Sequence, residues 1–149
     1  MDENIINMLK RISLFEEIKN DNESLEILSK IFTSRTYRAG ETIIKEGDLG
    51  SEMFIVASGE VEIQKRTRAG DNYTVIKLKA AHNVFFGEMA LIDDDKRSAT
   101  VTAMEDSEFL VVDKKGFLKM GNDHPQIGLP ITRAISKILA GRLDRKSVV

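Results

Sequence analysis

The chain has 149 residues, with 22 basic and 24 acidic side chains, a formal net charge of −2 and no cysteine. That length fits one domain with its own core, and the charge balance lacks the basic footprint of a nucleic-acid binder. The absent cysteine excludes disulfides, thiolate metal ligands and a cysteine nucleophile.

Residues 1–34 read as a helical segment. Its N-terminus, MDENIINMLKR, lacks the basic-then-apolar pattern of a signal peptide, and no stretch of the chain approaches the roughly 20 apolar residues of a membrane span. The expected location is cytoplasmic. Ile5, Ile6 and Leu9 share one face of a short helix, and Ile12, Leu14, Phe15 and Ile18 continue the apolar density. Asn20, Asp21 and Asn22 interrupt it, and each can cap a second helix that aligns Leu25, Leu28 and Phe32.

From Thr36 the apolar period changes from helical to alternating. Thr42-Ile43-Ile44 follows Gly40, and Glu46-Gly47-Asp48-Leu49-Gly50 is a turn cluster. Met53, Ile55 and Ala57 alternate with Phe54, Val56 and Ser58, then Val61 and Ile63 with Glu60, Glu62 and Gln64. Arg68 to Asn72 is a hairpin loop, after which Thr74, Ile76 and Leu78 line one strand face. Short strands separated by glycine turns predict an antiparallel sandwich or barrel over residues 35–113.

Residues 85–101 depart from this rhythm. Val84, Phe85 and Phe86 read as a short buried strand, Gly87 breaks it, and Glu88 to Ile92 has the composition of one helical turn. Asp93-Asp94-Asp95 and Lys96-Arg97-Ser98 follow, before Ala99-Thr100-Val101-Thr102 opens a new strand. A strand that turns through glycine into a helix aims unpaired N–H groups outward and makes an anion site. Arg97 returns nine residues after Glu88, so one loop can present a carboxylate and a guanidinium to the same ligand.

Beyond the apolar run Phe109 to Val112, residues 114–149 return to helix. Lys114 to Met120 reads as a short helix stopped by Gly121-Asn122, and Asp123-His124-Pro125 as a cap with an early-turn proline. Ile131, Ile135, Ile138, Leu139 and Leu143 form a stripe, and Pro130, which lacks an N–H, predicts a kink or restart. No catalytic or metal constellation is expected: His82 and His124 sit in no catalytic motif, and three consecutive aspartates lack calcium-loop spacing.

Phe86-Gly87-Glu88-Met89-Ala90-Leu91 with Arg97-Ser98-Ala99-Thr100 resembles the phosphate-binding cassette of cyclic nucleotide-binding domains. Such domains occur in cyclic-AMP receptor transcription factors, kinase regulatory subunits and gated ion channels. The spacing fits without insertion or deletion, and the likeness runs from about Leu14 to about Ile138. It implies a mainly β fold with flanking helices: an antiparallel, jelly-roll-like β-roll of about eight strands, N-terminal helices, a short cassette helix and C-terminal helices.

The resemblance also assigns roles. Arg97 would hold the phosphate, because a planar guanidinium grips two oxygens and stays charged. The alternative is a surface ion pair with one of the three aspartates. Glu88 would accept the ribose 2′-hydroxyl, and Gly87 would let the backbone approach the ligand. The N–H groups of Met89, Ala90 and Ala99 are candidate phosphate donors. Ser98 is compatible with cAMP or cGMP, with cAMP favoured. Val61, Ile63, Val75 and Val101 are candidates for the base platform or plain core, and Ile138, Leu139 or Arg142 for a cap over the base. Lys96 stands where family cassettes often have proline, and the aspartates would cost affinity if they faced the phosphate.

The expected function is a non-catalytic sensor that binds cAMP or cGMP, without metal, and relays binding through C-terminal helix movement to an effector protein or a homodimer partner. Direct DNA binding is not expected. The alternatives are a related β-roll that has lost ligand binding and serves as an interaction scaffold, and the sensor part of a longer receptor.

Overall fold

Two runs of consecutive apolar residues, Met53–Val56 and Phe109–Val112, organise the computed structural model, which describes residues 3–67, 69–94 and 96–146. In each run alternate side chains enter different cores. Met53, Ile55, Leu110 and Val112 face a cluster shared with the helices, whereas Phe54, Val56, Phe109 and Val111 face a second cluster between the sheets. A strand covered on both faces reads as continuously apolar, which explains why these two segments lack polar alternation.

The strands are β1 (Thr33–Tyr37), β2 (Thr42–Ile44), β3 (Glu52–Ser58), β4 (Glu60–Arg66), β5 (Asn72–Lys79), β6 (Phe85–Phe86), β7 (Thr100–Ala103) and β8 (Ser107–Asp113). They form two four-stranded sheets in the orders β1-β8-β3-β6 and β2-β7-β4-β5, and every strand pair is antiparallel. This is the expected antiparallel β-roll with flanking helices. A register shift at Ile63/Gln64 pairs Ile76 with Ile63 but Thr74 with Gln64. Of the stripe expected through Thr74, Ile76 and Leu78, Leu78 packs on the inter-sheet cluster and Ile76 is exposed, while the side chain of Thr74 lies outside the described residues.

The helices cover the outer face of the first sheet. They are α1 (Glu3–Arg11), a 3₁₀ turn at Ser13–Ile18, α2 (Asn22–Ser29), α3 (Lys114–Asp123) and α4 (Pro125–Lys146). Asp21 caps α2: its carboxylate accepts from the Ser24 N–H at 3.3 Å and the Ser24 hydroxyl at 2.8 Å. Leu9, Ile12, Phe15, Leu25 and Leu28 from the N-terminal segment meet Ile127, Ile131 and Ile135 of α4 in one cluster.

Three expectations for the C-terminal part are corrected. Helix α3 runs through Gly121 and Asn122 to Asp123 instead of stopping at them. Glycine is wanted there for close packing, since a β-carbon on Gly128 of α4 would come within 2.6 Å of the Gly121 Cα. Nor does α4 restart at Pro130, which lies inside a continuous helix. The carbonyl that its missing N–H would have used belongs to Gln126, in the first turn of α4. Finally, the stripe of Ile131, Ile135, Ile138, Leu139 and Leu143 is not a free face for a partner along its whole length, because Ile131 and Ile135 are buried in the chain's own core. The side chains of Arg142, Leu143, Arg145 and Lys146 lie outside the described residues, as do Arg68, Asp95 and the side chain of Val75.

Candidate functional site

The site is built at the end of β6. Phe86 is anchored by stacking on Phe54, with ring centroids 5.1 Å apart and planes 10° off parallel. Gly87 then takes φ +81°, a left-handed conformation that favours glycine, and starts a 3₁₀ turn at Glu88–Leu91. A β-carbon on Gly87 would lie 2.9 Å from the Glu52 carbonyl oxygen and 3.0 Å from Arg97 Nη1, so space as well as backbone geometry demands glycine. Of the expected phosphate donors, the Ala90 N–H already donates to the Gly87 carbonyl at 3.2 Å. Leu91 is buried, and Met89 and Ile92 pack beside it against the helical cluster.

Arg97 returns to this turn as the sequence spacing predicts. Its backbone is fixed by the β2–β3 loop: the Arg97 N–H donates to the Asp48 carbonyl at 2.8 Å and the Gly47 N–H donates to the Arg97 carbonyl at 2.9 Å. Its guanidinium donates from Nη1 to the Gly87 carbonyl at 3.3 Å and from Nη2 to the Glu52 carbonyl at 2.6 Å. Burial pulls the guanidinium below its ordinary pKa, while the Glu52 and Glu88 carboxylates pull the other way. An arginine so placed keeps its charge at any physiological pH. Glu88 itself is buried, an unusual location for a carboxylate.

The acidic loop does not supply Arg97 with an ion-pair partner among the described residues. Asp94 pairs instead with Lys114 Nζ at the start of α3, at 2.7 Å, and its N–H donates to the Asp93 carboxylate. Ser98 is exposed and Ala99 half-buried. The structure thus brings Gly87, Glu88 and Arg97 together, while the Met89 side chain packs with the helices. Of the base-platform candidates, Val61 and Val101 are buried in the inter-sheet cluster and Ile63 packs at its margin. Ile138 packs against the helical cluster, whereas Leu139 is exposed.

Sequence reasoning missed two site residues. A β-carbon on Gly50 would overlap the Arg97 guanidinium, so this glycine makes room for the arginine. The available signal was a second glycine in Gly47-Asp48-Leu49-Gly50, where Gly47 alone, at φ +89°, carries the left-handed turn. Glu52 was the other: its carbonyl holds Arg97, and its carboxylate takes a two-pronged pair from Arg35 at 2.9 and 2.7 Å.

Comparison with known proteins converges on the same assignment. The family profile described as cyclic nucleotide-binding domain matches residues 34–124. The chain is 31% identical over 121 residues to the cyclic AMP receptor protein of Thermus thermophilus, covering 81% of this chain and 53% of that one. It is 38% identical over 120 residues to human cGMP-dependent protein kinase 2, covering 78% of this chain and 15% of the kinase. The chain therefore spans about half the receptor protein and a small part of the kinase. The crystal structure of the Thermus thermophilus catabolite activator protein superposes with a TM-score of 0.77 at 30% identity, covering 91% of this chain and 60% of that one. Sequence match, β-roll and the glycine–arginine turn agree: this chain belongs to the cyclic nucleotide-binding domain family.

Proposed function

We propose that this chain is a non-catalytic cytoplasmic sensor that binds a cyclic nucleotide, cAMP in preference to cGMP, at Gly87, Glu88, Met89, Ala90, Arg97, Ser98 and Ala99. The observation that carries the reading is the Arg97 guanidinium held against the Gly87 carbonyl beside buried Glu88. A cyclic phosphodiester brings one negative charge and two free oxygens, which a guanidinium can grip together. The carbonyls that now hold Arg97 are neutral acceptors, and an anionic phosphate makes the stronger charge-assisted bond. Glu88 is the acceptor offered to the ribose hydroxyl. The relatives' names point to both nucleotides, so the preference for cAMP rests on titration.

The relay proceeds through Leu91. This residue ends the cassette turn and is enclosed with Phe117 and Met120 of α3 and Ile127, Ile131 and Ile135 of α4. Ligand drawn onto Arg97 and Gly87 pulls the turn, and the helices repack on it. Such a shift requires the ligand to prefer one of two states. The output is an effector protein or a second copy of the chain that engages the repacked C-terminal helix.

The test is calorimetric titration of the 149-residue chain with cAMP and cGMP, alongside Arg97→Ala. Loss of the guanidinium is expected to weaken binding by about 2–5 kcal/mol. Equal binding by variant and wild type overturns the site. Binding of neither nucleotide by the wild type favours the interaction-scaffold reading instead.

A further inference from the structure

Arg35 on β1 and Glu52 on β3 both flank β8, and both sit on the face of the first sheet that turns toward the second. Phe54, two residues beyond Glu52, and Phe109, the β8 partner of Arg35, belong to the inter-sheet cluster. The Arg35 guanidinium reaches along this face, lies 5.8 Å from the Phe54 ring centroid and grips the Glu52 carboxylate with both terminal nitrogens. Hydrogen bonding to Glu52, and secondarily to Tyr37, holds Arg35 above its ordinary pKa. Glu52 is therefore committed twice: its carboxylate to Arg35, its carbonyl to Arg97.

An unguarded carboxylate at this place would work against an anionic ligand. It would repel the phosphodiester, and it would compete for the guanidinium meant to hold it. Of the two carboxylates that act on Arg97, Glu52 exerts the stronger influence. Yet its ion pair goes to Arg35, and Arg97 takes only its carbonyl.

We propose that Arg35 is a positioning residue for cyclic nucleotide binding, tethering and neutralising the Glu52 carboxylate so that Arg97 stays available to the phosphate. The inference rests on the sensor reading above. A half-exposed ion pair that merely joins two strands contributes little to stability and has no reason to affect ligand affinity. An uncompensated charge beside the phosphate, screened by its partly exposed surroundings, changes affinity on the order of tenfold.

The deciding experiment titrates cAMP and cGMP into the wild type, Arg35→Gln, Glu52→Gln and the double variant, at low and raised salt. Arg35→Gln is expected to bind about tenfold more weakly, and Glu52→Gln, which keeps the main-chain carbonyl that holds Arg97 but frees the Arg35 charge, more tightly than wild type. The double variant, having lost both charges, is expected to recover to within about threefold of wild type. The Arg35→Gln deficit is expected to shrink as salt screens the freed carboxylate. Wild-type affinity in Arg35→Gln, or a double variant no tighter than Arg35→Gln, overturns the inference while leaving the sensor reading intact. If Arg35→Gln does not fold, Glu52→Gln alone decides: binding tighter than wild type, from the positive charge left on Arg35, supports the guard role, and unchanged or weaker binding overturns it. A wild type that binds neither nucleotide removes the sensor reading and this inference with it.

Discussion

Lys114 Nζ and the Asp94 carboxylate lie 2.7 Å apart, joining the first turn of α3 to the acidic loop beside the cassette. The Asp94 side chain is 88% exposed, so the pair contributes little to stability. Its value lies in where it holds a negative charge. Lys114→Ala is expected to change unfolding free energy by no more than about 1 kcal/mol. Cyclic nucleotide affinity is expected to fall a few-fold at low ionic strength and to recover with salt. Titration at two salt concentrations reads both effects.

Gly50 offers a way to disturb Arg97 without touching it. A methyl group there overlaps the guanidinium and must push it off its carbonyls. Gly50 lies in a surface turn and has no left-handed φ, so Gly50→Ala has little reason to disrupt the fold. Binding is expected to weaken toward the level of Arg97→Ala, while the thermal midpoint stays within a few degrees of wild type. A variant that binds normally would place the ligand elsewhere.

Phe54 is the aromatic hub, stacked on Phe86 and edge-on to Phe109 at 6.0 Å. Phe54→Ala is expected to cost about 3–5 kcal/mol through lost burial and the cavity left behind. For a chain of this size that lowers the thermal midpoint by roughly 6–20 °C. Phe86, which anchors the cassette, loses its stacking partner in the same variant. Calorimetric unfolding measures the first effect and ligand titration the second.

Asp21 links pH to the N-terminal helices. The Ser24 hydroxyl, and then the Ser24 N–H, hold its carboxyl below the ordinary aspartate range. Its contribution is complete above the unfolded-state value of about 3.9 and fades as pH falls through the lower folded-state value. Asp21→Asn is therefore expected to flatten the acid end of the stability–pH curve and leave its shape near neutrality unchanged. Denaturant unfolding across the acid range tests this.

The architecture was legible because its signals are local. Glycine punctuation and period-two alternation mark the strands, and one of the two doubly covered strands, Phe109 to Val112, announces itself as an unbroken apolar run. The meeting of Gly87, Glu88 and Arg97 was legible because all three lie on one short loop of fixed spacing. The Arg35–Glu52 pair was not. Its members are 17 residues apart on strands that touch only through β8, and each alone is an ordinary charged strand residue. The course of α3 through Gly121 and the burial of Ile131 and Ile135 were hidden for the same reason. A glycine stops a helix or admits a neighbour, and an apolar stripe finds an external partner or an internal one, according to tertiary packing alone.

Leu91 shares one apolar cluster with segments from both ends of the polypeptide. A ligand that shifts the turn is then expected to perturb two places far apart along the backbone. A fluorophore attached near residue 10 and one attached near residue 137 should report the same ligand-driven event with matching kinetics.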